Sequence, residues 1–287
     1  MDVQENSIKT EFMKNGYYII PGAIERDRIL EVRALLEKEF KKKFPQENLF
    51  SRKDLAKTDI IRDYLCVYPE LIDLITNQSV VNIVKAILGE NFYLMPPASC
   101  IRNSFGRLHT DLTTMTRHGY PIGLRDDFLG IVINIYLQDN DEQGGGIFIV
   151  PGSHKSKDPL IERRNLENGI GVPFFSKVLR KLTRNRYPAY EDYSIFEEGG
   201  VDVPSKIGDV TIMDMKILHR GSLPKMERNE TKIGIFNLAM ARTDTDILDY
   251  WMEYLYSDYD HPFHYLKQER NIQPLQRAAA NLGFTAL

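Results

Sequence analysis

From residue 92 onward the apolar residues recur at every second position, and this change of period constrains the fold more than any other feature of the chain. Segments 92–95, 99–103, 129–137, 146–150, 209–213 and 233–239 each read as strands, separated by Gly, Pro and charged turns. Short strands without alternating helices predict an antiparallel sandwich or jelly roll and argue against a parallel sheet. One stretch, about 155–205, breaks the pattern, and loops of that length are uncommon unless they serve a function. Inside it Phe174, Phe175, Val178, Leu179 and Leu182 share one helical face, with Lys177, Arg180, Lys181 and Arg184 on another. A solvated face is the plain reading of those cations. The sharper one has them cover the barrel mouth and attract an anionic substrate.

Helices are expected on both sides of this β region. Tyr17–Ile20 reads as a strand stopped by Pro21-Gly22, followed by a helix over about 25–42 with Ile29, Leu30, Val32, Leu35, Leu36 and Phe40 as its stripe. A second helical stretch, about 70–89, breaks near Asn77, restarts with Ser79 as N-cap and closes at Gly89. Ile247, Leu248, Trp251, Tyr254 and Leu255 mark a C-terminal helix, with a further helical segment at about 263–282. The expectation is a mainly β, α+β fold of one domain over 1–287. It has helical support at 1–90, a jelly-roll (cupin-like) core at 91–245 and helices at 246–287.

Composition narrows the function classes. With 43% hydrophobic and 27% charged residues the 287-residue chain can bury an ample core. A net charge of -3 gives no reason to expect nucleic acid or an anionic membrane as partner. No apolar run approaches a membrane span, and the acidic start Met1-Asp2-Val3-Gln4-Glu5 does not read as a signal peptide. Cys66 and Cys100 sit in apolar contexts and read as buried thiols, which suits a reducing compartment, the cytoplasm by default.

The chemistry is carried by His109-Thr110-Asp111 and by His219, which follows the Gly208-Asp209 strand. Two imidazoles and one carboxylate form the ligand set that holds Fe(II) with coordination positions left open. Residues i and i+2 of a strand face the same way, so His-x-Asp can grip one metal while the third ligand arrives from another strand. Alone the tripeptide is weak, because the chain has six His. The order His-x-Asp, then Gly144-Gly145-Gly146 and Pro151-Gly152-Ser153-His154, then the Gly-Asp strand and His219, is far more specific. His154 reads as a structural hydrogen-bonding group, His118 as a residue of an exposed loop with Arg117, Tyr120 and Arg125 or as a substrate contact, and His261 with His264 as a C-terminal loop pair.

With Asn15-Gly16-Tyr17-Tyr18-Ile19-Ile20-Pro21-Gly22 at the start and His219-Arg220-Gly221-Ser222 at the far end, the chain resembles the phytanoyl-CoA dioxygenase family of Fe(II)/2-oxoglutarate oxygenases over most of its length. The resemblance implies a double-stranded β-helix core, Fe(II) at His109, Asp111 and His219, and 2-oxoglutarate as co-substrate alongside O2 and a small-molecule substrate. It implies hydroxylation, or desaturation or ring formation by the same chemistry, with release of succinate and CO2, since related halogenases carry a small residue where this chain has Asp111. The family usually places an Arg about a dozen residues beyond the distal His, to pair with the far carboxylate of 2-oxoglutarate. Here Lys232 takes that place, with Arg228 as its rival. A Lys supplies the charge without the bidentate fork. Ser222 is placed to donate to the same carboxylate. Asn134, polar within an apolar strand, reads as a further co-substrate contact or as a satisfied core amide. Two other readings stay open: a jelly-roll metal- or ligand-binding protein without turnover, and a Zn hydrolase, disfavoured for want of a general base beside the triad.

Overall fold

A computed structural model describes residues 3–45, 58–103, 108–113, 115, 121–140, 144–155, 199–222, 232–242, 245–256 and 271–287. Its helices are α1 (Val3–Asn15), α2 (Arg26–Lys43), α3 (Tyr64–Val67), α4 (Ile72–Ile75), α5 (Gln78–Leu88), α6 (Thr245–Tyr256) and α7 (Gln273–Asn281). Its strands are β1 (Tyr17–Ile20), β2 (Asp59–Arg62), β3 (Tyr93–Arg102), β4 (Gly130–Tyr136), β5 (Ile147–Ile149), β6 (Val201–Val203), β7 (Val210–Asp214), β8 (His219–Gly221), β9 (Ile233–Met240) and β10 (Thr285–Ala286).

The strands form a seven-stranded sheet in the order β1-β7-β4-β9-β3-β10, with β2 also paired to β3, and a three-stranded sheet β6-β5-β8. All pairs are antiparallel except the short β3–β10 contact. This is the jelly-roll, α+β fold the alternating pattern predicts. The edges of the large sheet come from outside the 91–245 region, since β1, β2 and β10 all join it.

The two faces of the large sheet do different work. On β4, Ile131, Ile133 and Ile135 face outward into the same core cluster as Ile29, Leu36 and Val84 of the helices. Val132 and Tyr136 face inward with Met213, Ile147 and Ile149 of the opposing strands. Both faces are covered, so β4 is buried along its whole length, and its β-branched run marked it as a strand without alternating polarity.

Two helical details depart from expectation. Residues 3–15 are helical: among its described side chains α1 buries Ile8 and Phe12 alone, too thin a stripe to stand out in the sequence. Gly16 ends α1 at φ +81°, where a Cβ would sit 2.4 Å from His154 Nδ1 and 2.7 Å from Ile217 Cδ1. The cap of α5 is Asn77, whose side chain accepts from the backbone of Ser79 at 2.9 Å, so Asn77 and not Ser79 starts the helix. Asn77 wins because its short amide folds back two residues along the chain. The helical faces expected at 174–184 lie outside the described residues, and β6 is the described part of the far end of that insertion. Among the described residues no single helix is long and apolar enough to cross a membrane. The bent pair Pro69–Ile75 and Gln78–Leu88, the one combination of sufficient length, contributes Leu71, Leu74, Val80 and Val84 to the core.

Candidate metal centre

His109 and His219 lie side by side because their backbones exchange both hydrogen bonds, each 2.9 Å long, in an isolated antiparallel bridge. Their rings stand 4.5 Å apart, tilted by 48°. Two residues on, the Asp111 N–H donates to the Met215 carbonyl at 3.2 Å, which turns the carboxylate back toward the rings. Asp111 Oδ1 then sits 3.7 Å from His219 Nε2, and one ligand atom from each of the three residues lies within 4.8 Å of the others. The structure brings the three residues together by a different route from strand neighbours facing one way, with His109 in an isolated bridge and Asp111 in the turn that follows it.

The Pro-Gly-Ser-His turn holds the distal ligand in place. Ser153 Oγ accepts from the Leu218 N–H at 2.9 Å, and the Val150 N–H donates to the Leu218 carbonyl at 2.9 Å. His154 braces the turn from behind: its Nε2 lies 3.1 Å from the Met13 carbonyl of α1 and so carries the proton. Burial holds the His154 imidazole below the usual histidine range, which suits a structural residue.

Fe(II) or a similar divalent ion fits the three residues on two observations. His219 Nδ1 lies 3.0 Å from the Ile217 carbonyl, which can only accept, so Nδ1 is protonated and Nε2 keeps its lone pair for a metal. Burial foremost, against the opposing pull of Asp111, lowers the His219 pKa to about 4, so the ring is neutral near pH 7. Asp111 Oδ2 is buried with no hydrogen-bond partner, an expensive state for a carboxylate unless a cation sits on it. Nearby, burial raises the Asp214 carboxyl to about 6, although its Oδ1 accepts from the Lys216 N–H at 2.7 Å.

The triad opens onto a cavity of about 320 Å³ between the sheets. Its walls are mostly apolar and aromatic, with Met115, Val132, Tyr136, Met213, Phe236, Leu238, Trp251 and Tyr254, and two cations, Lys232 and Arg62, reach it. Lys232 is only 3% exposed, donates from Nζ to the Gly146 carbonyl at 2.8 Å and lies 5.3 Å from the centre of the Tyr136 ring. The Ser222 N–H donates to the same carbonyl at 3.0 Å, so the ammonium stands beside the end of β8. Ser222 is three residues beyond His219, about 10 Å by strand rise, a reach suited to a five-carbon diacid that touches the metal at its other end. The Ser222 hydroxyl itself donates to Asp202. Asn134 faces inward between Val132 and Tyr136, fully buried, with neither amide atom partnered. Thr211, its cross-strand neighbour, also has a buried hydroxyl without a partner. Neither residue lines the cavity. Arg228, His118, His261 and His264 lie outside the described residues.

Arg62, Ser99, Trp251 and Tyr254 also line the cavity, and nothing in the sequence marks them as wall residues. Alternation within Asp59-Ile60-Ile61-Arg62 was the available signal for the first, and it is too short to fix a register. Trp251 and Tyr254 were legible as a helical stripe, but the stripe does not say that a cavity lies beneath it.

Comparison with known proteins places these features. A probable alpha-ketoglutarate-dependent hypophosphite dioxygenase of Stutzerimonas stutzeri is 26% identical over 181 residues, 61% of this chain. The match spans 56% of that relative's length. Among solved structures, the non-heme alpha ketoglutarate dependent epimerase SnoN from nogalamycin biosynthesis aligns over 84% of each chain with TM-score 0.53 and 15% identity. EctD from S. alaskensis with bound Fe aligns over 84% of this chain and 77% of its own, with TM-score 0.52 and 17% identity. HygX from Streptomyces hygroscopicus with nickel and 2-oxoglutarate bound aligns over 83% and 87%, with TM-score 0.51 and 16% identity. The family model for Phytanoyl-CoA dioxygenase (PhyH) matches residues 12–223, and the chain belongs to that family.

Proposed function

We propose that the chain is a non-haem Fe(II)/2-oxoglutarate-dependent dioxygenase that hydroxylates an unactivated C–H bond of a small organic molecule. The observation that carries this reading is the partnerless buried oxygen of Asp111, set beside two imidazoles at the wall of a largely apolar cavity. Fe(II) with 2-oxoglutarate supplies O2 activation when bound, with succinate and CO2 as co-products. His109, Asp111 and His219 hold the metal and leave its cavity side open. Lys232 neutralises the far carboxylate of 2-oxoglutarate, with Ser222 beside it at the end of β8, while Asn134 lies behind the cavity wall and makes no direct contact. Arg228 is the alternative anchor.

The apolar walls exclude water and orient the substrate C–H toward the metal. Asp111 occupies the ligand position with a carboxylate, which favours hydroxylation over halogenation. Hypophosphite, named for the relative, is not carried over, because walls of Trp251, Tyr254 and Met213 suit an organic body. We place the protein in the reducing cytoplasm, a reading supported by Cys66 and Cys100 persisting as thiols. We also take 1–287 as one domain, with 1–90 as support, 91–245 as core and 246–287 as C-terminal helices.

The test is succinate release from purified protein supplied with Fe(II), 2-oxoglutarate, O2 and a panel of organic substrates. Release that requires Fe(II) and disappears in His109→Ala is expected. Binding of Fe(II) and 2-oxoglutarate with no succinate from any substrate would point instead to a ligand-binding protein without turnover.

A further inference from the structure

A second cation, Arg62, stands on the cavity wall besides Lys232. Arg62 stands on β2, opposite Ser99 of β3, and Ile60 stands opposite Ile101. All four residues line the cavity. Directly paired positions hold their Cβ atoms about 5 Å apart, so the guanidinium and the Ser99 hydroxyl can address one group. Ser99 pairs in turn with Phe236 of β9, four residues along from Lys232. By strand rise that is about 13 Å, and Arg62 lies two strand spacings, about 10 Å, to the side. The two cations therefore serve separate regions, and a single 2-oxoglutarate fixed at Lys232 leaves Arg62 to another ligand.

The setting of Arg62 is built, not incidental. Arg102 Nε donates to Asp59 at 2.8 Å, with both side chains largely buried, and this pair ties β2 to β3. Trp251, also on the cavity wall, is fixed by its Nε1–H, which donates to the Pro96 carbonyl at 3.0 Å, and Tyr254 follows it one turn along α6. Arg62 has polar or electrostatic contacts of its own, and a guanidinium with five donors can share them.

We propose that Arg62, with Ser99, selects the primary substrate by holding its carboxylate, while the aromatic or aliphatic body lies on Trp251 and Tyr254. This names the substrate class of the oxygenase reading and rests on it. The acceptor is an organic acid whose anionic end points away from the metal and whose apolar part meets it. Arg62 is then a specificity residue and touches neither the iron nor the co-substrate.

The experiment uses the full chain loaded with Fe(II) and 2-oxoglutarate under nitrogen, titrated by calorimetry with 3-phenylpropanoate and octanoate and with their neutral amides. Co-substrate binding is followed separately by the visible charge-transfer band of the Fe(II)–2-oxoglutarate complex. Wild type is expected to bind the acids at least about tenfold more tightly than the amides. Arg62→Gln should bring the two within about twofold while the Kd for 2-oxoglutarate moves by less than about twofold, and Arg62→Lys should keep part of the preference. An unchanged preference in Arg62→Gln, an acid that binds wild type no better than its amide, or a loss of 2-oxoglutarate binding in Arg62→Gln each overturns the inference. Repeating the titration on metal-free protein separates the two claims. Acid preference without any charge-transfer band sinks the oxygenase reading alone, and the band without acid preference sinks this inference alone.

Discussion

Replacing Asp111 by Ala removes one of three ligand atoms and the only negative charge among them. The loss in Fe(II) affinity should exceed the roughly 10- to 100-fold typical when a mere outer-shell partner is removed. Calorimetric metal titration checks it, and retention of wild-type affinity would exclude Asp111 as a ligand. Lys232→Ala acts on a different ligand. A lost charge-assisted hydrogen bond of about 1.5–3 kcal/mol predicts a rise of roughly 10- to 100-fold in the KM for 2-oxoglutarate, with a much smaller change for the primary substrate. If Arg228→Ala gives that pattern and Lys232→Ala does not, the anchor is Arg228. At this scale the sequence was informative where parity and order decide. Lys232 stands just before β9, in phase with its even positions Phe236 and Leu238, and lines the cavity with them. Arg62 and Tyr254 were illegible as wall residues, because a cavity wall is assembled from positions far apart in sequence whose inward face depends on a register that short segments do not fix.

Elements were legible in proportion to their length and period. β4 and β9 announce themselves by long β-branched or alternating runs, whereas β2 and β8, with four and three residues, carry too few positions for a period to show. Their placement comes from tertiary contacts: the Asp59–Arg102 pair for β2 and the Ser153 hydroxyl on Leu218 for β8. Asp59→Ala leaves a largely buried Arg102 without its main counter-charge and should cost about 3 kcal/mol, read as a shift in urea midpoint. Loss of the α5 cap is milder. Asn77→Ala should cost about 1 kcal/mol, since the Ser79 N–H then loses its acceptor, whereas Ser79→Ala should be close to neutral by the same measurement. An equal or larger effect at Ser79 would mean that the cap is misassigned.

The molecule as a whole should show a pH profile set by opposed buried groups. His154 joins α1, the Gly16 turn and the end of β5, and burial lowers its pKa in the folded state below the unfolded value of about 6.5. Between those two values the unfolded chain binds a proton that the folded one does not, so stability is full above about 6.5 and falls as the pH drops below it. Asp214 works the other way. Its folded pKa is raised to about 6, so as pH falls through 6 the folded state takes up a proton first, and stability is gained until the unfolded value of 3.8 is reached. A metal-free wild-type curve alone would therefore blur the two. The difference between wild type and His154→Gln isolates the histidine: the stability gap should be constant above pH 7 and shrink steadily below 6.5. The companion difference for Asp214→Asn should change in the opposite sense below pH 6. Chemical denaturation at half-unit steps from pH 8 to 5 resolves both, and a His154 gap that stays level across that range would place a proton on the buried ring and undo its assignment as a neutral brace between α1 and the ligand-bearing turn.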